Sequence, residues 1–142
     1  MGRHRRRGTV LDTWAMLAYL DGEPAAHDVR QVLRRARGRL VPVFFSIISY
    51  GETLYIVERE QGRQQAQRAI GVVDQLPLHV VPAERSLVCE AAHVKARFRL
   101  SYADSFSVAV AVRTHSHVMT GDPEFRSVES EVAIDWLPDR RR

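Results

Sequence analysis

From residue 9 onward, short runs of β-branched and aromatic residues alternate with longer stretches whose apolar positions recur at helical spacing. TVLD, residues 9 to 12, predicts a strand that passes directly into a helix over TWAMLAYL, which the turn DGEP ends. HDVRQVLRRARG, 27 to 38, sets Val29, Val32 and Leu33 on one helical stripe and stops at Gly38. LVPVFFS, 40 to 46, predicts a buried strand, and SIISYGETLYIVERE, 46 to 60, a helix with Ile47, Tyr50, Leu54 and Val57 as its apolar stripe. The amphipathic stretch RQQAQRAIGVVDQL leads to a third strand in PLHVVP, 77 to 82. Two helices follow, AERSLVCEAAHVKARF over 83 to 98 and SYADSFSVAVAVRTH over 101 to 115. The second is apolar almost all round from Phe106 to Val112, which marks a buried helix. HVMTGD supplies a fourth strand and VAIDWL, 132 to 137, a fifth.

Strands separated by helices imply parallel pairing through right-handed crossovers, so the expected fold class is α/β: one five-stranded parallel sheet with helices on both faces. With 142 residues and no repeat or linker, the chain reads as a single domain over 9 to 138. It is flanked by a basic segment at 1 to 8 and another at 139 to 142. Arginines at 3, 5, 6 and 7 and at 140 to 142 supply more than the whole formal charge of +4 and leave the body of the chain at −3. A solvated tail is the favoured reading of such runs, ahead of contact with nucleic acid phosphates.

The single cysteine, Cys89, excludes an intrachain disulfide and a thiolate metal cluster, and it fits a reducing, cytoplasmic setting. The start resembles a secretory signal, but Asp12 interrupts its apolar part and no cleavage pattern follows. No apolar run approaches the ~20 residues that span a bilayer.

In a parallel sheet, ligands bind beyond the carboxyl ends of the strands. Asp12 ends the first strand and Asp122 the fourth, while Glu52 and Asp104 lie in early turns of helices that open toward the same edge. Each acid also has a local explanation. Asp12 can cap the following helix and Asp122 the turn at Pro123. Ser49 with Glu52, and Ser101 with Asp104, match the spacing of capping boxes.

The local explanation is weakest for Glu52, whose helix neighbours Ile48, Tyr55 and Ile56 are apolar, with no lysine or arginine within four residues. Acids converging on one edge would repel one another or hold protons unless a cation intervened. Oxygen-only ligation suits Mg²⁺ or Mn²⁺ better than zinc. Such an ion beside a phosphate serves phosphodiester hydrolysis.

These residues resemble the PIN domain ribonucleases, and among them the VapC toxins of bacterial toxin–antitoxin pairs. The resemblance rests on VLDTWAMLAYL, SIISYGETLYIV, LSYADSFSVAVA and VMTGDPEF, in that order. It implies a metal-dependent endoribonuclease in which Asp12, Glu52, Asp104 and Asp122 surround Mg²⁺ or Mn²⁺, with Thr13 and Thr120 as supporting hydroxyls. Asp12 and Asp104 are expected as direct ligands and Asp122 close by or acting through water. Glu52 would bind metal or orient the attacking water.

The resemblance further implies an RNA substrate, a VapB-type antitoxin, a homodimer and no membrane association. Trp14 and Ser105 depart from the residues usual in the family, without removing a carboxylate. An acidic pocket would repel RNA, so arginines such as Arg97, Arg99, Arg113 and Arg126 are expected to compensate.

Other constellations are poorer. His115 and His117 lack a third ligand at a recognisable spacing, so a turn before the strand is the expected role. His93 and Cys89 stand four apart on a helix and are expected to pack or lie exposed. Trp14 and Trp136 are expected in the core or at a dimer surface. There is no GxSxG elbow and no P-loop. A receiver-type phosphoacceptor would need a late lysine, and the only lysine, Lys95, precedes Asp104. A PIN-like module that only binds RNA or a partner remains the alternative, but such a module is expected to have lost one of the four acids.

Overall fold

The computed structural model describes residues 8–138, so both predicted basic tails, Gly8 apart, lie outside the described residues. Five parallel strands form one sheet in the order β3-β2-β1-β4-β5. They are β1 (Thr9–Leu11), β2 (Val43–Ser46), β3 (His79–Val81), β4 (His117–Thr120) and β5 (Ile134–Trp136), each shorter than the apolar run that predicted it. The helices are α1 (Thr13–Leu20), α2 (Ala26–Arg37), α3 (Ile47–Gln61), α4 (Arg63–Asp74), α5 (Arg85–Arg97) and α6 (Tyr102–Thr114). A 3-10 turn over Pro123–Val128 connects β4 to β5.

The alternation of side chains along the strands decides how the two faces are filled. Val10 and Val118 belong to a core cluster with Leu87, Phe106, Val110 and Phe125, under α5, α6 and the 3-10 turn. Leu11 and Met119, one residue along, belong to a second cluster with Met16, Val29, Phe45 and Val73 under α1, α2 and α4. Helices therefore cover both faces, as the run of elements implied. Each fully buried aliphatic or aromatic side chain contributes about 1.5–3 kcal/mol relative to exposure. Almost all of α6 from Asp104 to Ala111 is buried, in line with its apolar sequence.

One expectation needs correction. On α3 the fully buried stripe is Ser49, Thr53 and Val57, whereas Tyr50 and Leu54 are half-buried and Ile47 exposed. Small hydroxyl residues let α3 approach α6 closely, and their polar atoms are satisfied. Ser49 Oγ lies 3.5 Å from Ser107 Oγ, and Thr53 Oγ1 donates to the Ser49 carbonyl at 2.8 Å. Of the two places expected for Trp136, core or dimer surface, the exposure excludes the core: the residue is 40% exposed, and Nε1 donates to Glu129 at 2.9 Å.

The strand order matters for function. Successive crossovers run outward from β1 to β2 and β3, and then the chain returns to place β4 on the other side of β1. The reversal leaves a crevice at the carboxyl ends of β1 and β4, which pair in register from Thr9↔His117 to Leu11↔Met119. Among the described residues, no helix is long and apolar enough to cross a membrane.

Candidate active site

Asp12 and Thr120 sit one residue beyond the paired ends of β1 and β4, so the sheet itself sets their separation. Asp12 is the N-cap of α1 and accepts from Ala15 N–H at 2.8 Å through Oδ1. Its second oxygen, Oδ2, accepts from Thr120 Oγ1 at 2.5 Å. The same threonine hydroxyl accepts from Asp122 N–H at 3.0 Å. Asp122 in turn caps the 3-10 turn, its Oδ1 accepting from Glu124 N–H at 3.0 Å. One hydroxyl therefore fixes the turn that carries Asp122 against the carboxylate at the end of the neighbouring strand.

Asp104 enters from the first turn of α6. Ser101 caps that helix, accepting from Asp104 N–H at 3.1 Å, so the capping half of the predicted Ser101–Asp104 box is present. The Ser49–Glu52 box is absent because α3 begins earlier, with Ser46 as N-cap accepting from Ile48 N–H at 3.0 Å. Glu52 is left to a tertiary partner: Thr13 Oγ1 donates to its Oε1 at 2.6 Å. The face around Glu52 is mixed rather than buried, with Tyr55 half exposed. The expected donor for its carboxylate is nonetheless supplied, from the first residue of α1.

The acids act on one another electrostatically. Burial pushes the Asp12 carboxyl well above its ordinary range, against the Thr120 hydrogen bond, and the charges of Asp104 and Asp122 push the same way. Burial likewise raises Asp104 from 3.8 to about 7, against the Ser101 hydroxyl, with further upward pressure from Asp122, Glu52 and Glu124. Among the described residues, no lysine or arginine forms an ion pair with any of these acids. Among the described residues the acids thus have no ion-paired counter-charge, which is the situation a bound divalent cation relieves.

Asp104, Asp122 and Glu124 each offer a carboxylate oxygen within 4.8 Å of the others. Asp12 and Glu52 do not join that trio, while the charge of Asp104 acts on Asp12 more strongly than that of Asp122. Glu124 was not singled out from sequence. Its signal was its place in GDPEF, two residues past Asp122, where the 3-10 turn brings it back beside its neighbour. An all-oxygen donor set of this kind fits a hard divalent ion.

Gly121 has a steric reason to lack a side chain. A Cβ there would lie 2.2 Å from Trp14 Cη2, so the half-buried indole covers the backbone just before Asp122. The other candidates fall away from this edge. His115 takes a left-handed conformation (φ 55°) as the C-cap of α6, the turn role expected of it, and His117 is exposed on β4. Cys89 and His93 are both exposed on α5.

Residues 9–131 match the family model described as PIN domain. No curated protein matches the chain at the level of sequence. Among solved structures, VapBC2 from Rickettsia felis bound to a DNA fragment from its promoter shares the fold with TM-score 0.73 and 11% identity, over 92% of this chain and 98% of that one. VapC20 from Mycobacterium tuberculosis, described as a sarcin-ricin loop cleaving toxin, gives TM-score 0.71 and 19% identity, over 92% and 100%. DNA-bound VapBC from Salmonella typhimurium gives 0.66 and 15%, over 90% and 96%.

Proposed function

The chain belongs to the PIN domain family, and from that membership we propose that it is a metal-dependent endoribonuclease hydrolysing RNA phosphodiester bonds, the toxin of a toxin–antitoxin pair. The observation that carries the reading is the set of uncompensated acids at the β1–β4 crevice, two of them with strongly raised carboxyls. The description of VapC20 as a sarcin-ricin loop cleaving toxin supports the substrate class, and the VapBC assemblies support a VapB-type antitoxin as partner. A homodimer, a cytoplasmic setting and a catalytic domain over 9 to 138 complete the proposal.

Asp12 and Asp104 would hold Mg²⁺ or Mn²⁺, with Asp122 and Glu124 close by. Bound there, the ion supplies charge neutralisation and Lewis-acid polarisation of a phosphodiester. The protein's own part is to position and to move protons. Thr120 keeps Asp12 and the Asp122 turn in fixed relation, and Ser101 keeps Asp104 in the first turn of α6. Glu52 is oriented by Thr13 through Oε1, leaving Oε2 to accept a proton from an attacking water.

The test is cleavage of total RNA with Mg²⁺ or Mn²⁺ by the wild type, Asp12→Asn and Asp104→Asn. The wild type is expected to cleave and both variants to lose activity by at least about 100-fold, the range of a removed acid–base or electrostatic group. Unchanged cleavage in both variants would sink the mechanism, and absence of cleavage by the wild type would favour a module that only binds.

A further inference from the structure

The four arginines that could offset the acidic crevice are sorted by the grooves they line. Arg97 and Arg113 line an apolar groove between α5 and α6, where each is already paired. Arg97 Nη2 is 3.2 Å from Glu131, and Arg113 Nη2 is 3.1 Å from Glu90. Arg99 and Arg126 instead line a second groove, open to solvent and of ≈ 680 Å³, together with Lys95, Ser101, Pro123 and Glu124. Lys95, Arg99 and Arg126 are all exposed, and none is in an ion pair among the described residues. This groove begins at the acids: Glu124 belongs both to its wall and to the carboxylate trio, and Ser101 caps the helix that carries Asp104.

The groove wall is also held in place. Ser127 Oγ lies within hydrogen-bond distance of the carbonyls of Arg99 (3.3 Å) and Glu124 (3.1 Å), tying the α5–α6 connection to the 3-10 turn. The Arg126 guanidinium lies 5.8 Å from the centroid of the Trp136 ring, a contact that limits its conformational freedom. We infer that Lys95, Arg99 and Arg126 form a phosphate track carrying the RNA strand away from the acidic crevice, along the side of α5 and the 3-10 turn.

This assignment rests on the nuclease reading for its substrate and adds the direction of the strand and the residues that bind it. A uniformly anionic strand with one phosphodiester at the acids needs cations under its next phosphates, which this groove supplies. A peptide that neutralised the acids with cations of its own would meet like charge there, so single-stranded RNA is the better occupant.

The experiment measures binding of a labelled 20-nucleotide single-stranded RNA in EDTA, at several salt concentrations. It compares the wild type, Lys95→Gln/Arg99→Gln/Arg126→Gln and a control, Arg97→Gln/Arg113→Gln. Each lost phosphate contact lowers the slope of log K against log salt by about 0.7 for a single strand, so the triple variant should lose about 2 and the control almost nothing. The single variants Arg99→Gln and Arg126→Gln, each expected to lose about 0.7, carry the test if the triple variant fails to fold. In the cleavage assay, KM should rise with kcat largely retained.

An unchanged slope in the triple variant, when the wild type cleaves RNA, overturns the track and leaves the nuclease reading intact. A full three-charge loss of slope in the triple variant, when the wild type cleaves nothing, overturns the nuclease reading and leaves the track intact. Equal losses for a poly-glutamate probe would assign the groove to an acidic protein partner and overturn the RNA assignment.

Discussion

Replacing Asp104 with asparagine should abolish cleavage and, in the absence of metal, make the protein more stable at neutral pH. Asp104 is 7% exposed, and its carboxyl is raised from 3.8 to about 7, chiefly by burial. An acid whose pKa is raised on folding binds more protons in the native state than in the unfolded one. Its contribution to stability is therefore fully present below the unfolded value and is lost as pH rises through the folded value.

At 1.36 kcal/mol per pH unit, the separation between 3.8 and about 7 corresponds to on the order of 4 kcal/mol, of which roughly 2 to 3 would disappear between pH 5 and pH 8. Asparagine mimics the neutral form and removes this dependence. The assay is urea unfolding in EDTA at pH 5, 6, 7 and 8. The wild type should lose stability relative to Asp104→Asn as pH rises, with the difference levelling off above pH 7. Millimolar Mn²⁺ should restore the wild type and leave the variant unchanged. A wild type that gains stability relative to the variant between pH 5 and 8 in EDTA would refute the premise that Asp104 is buried without a counter-charge.

Three further outcomes follow from individual contacts. Thr120→Val keeps the shape but removes the donor to Asp12 and the acceptor for Asp122 N–H, so it should cost about 1–3 kcal/mol of stability and lower Mn²⁺ affinity by roughly 10–100-fold by calorimetry. Gly121→Ala places a methyl group 2.2 Å from Trp14 Cη2; it should destabilise by about 1–3 kcal/mol in thermal unfolding and recover when combined with Trp14→Ala, and additive losses would exclude this clash as the cause. Glu124→Gln should weaken metal binding yet retain cleavage at high Mn²⁺, unlike Asp104→Asn; identical behaviour of the two would make Glu124 a full member of the site.

Much of this site was legible in the chain because backbone rules announce it. Strand runs ending in TVLD and HVMTGD put Asp12 and Asp122 at strand ends, and the apolar helix starting at SYAD put Asp104 at the mouth of a core element. Glu124 was missed because a residue two positions past a turn has no periodic signal, and only the 3-10 geometry returns it toward Asp122. The α3 stripe was misread because burial there follows close approach to α6, which favours small hydroxyl residues over the larger apolar ones that periodicity selects.

The sequence by itself determined the order of elements, the parallel character of the sheet and which acids end which elements, since these depend on local periodicity, caps and turn chemistry. The tertiary structure decided which strand ends became neighbours. The return of the chain to set β4 beside β1 allows the Thr120 hydroxyl to join Asp12 to the Asp122 turn across 108 residues of sequence. It also decided which cations are left without an ion pair among the described residues. Arg97 and Arg113 are paired by acids distant in sequence, while Lys95, Arg99 and Arg126 are left along one groove. Pairing and desolvation depend on what packs nearby, and local pattern along a chain does not carry that information.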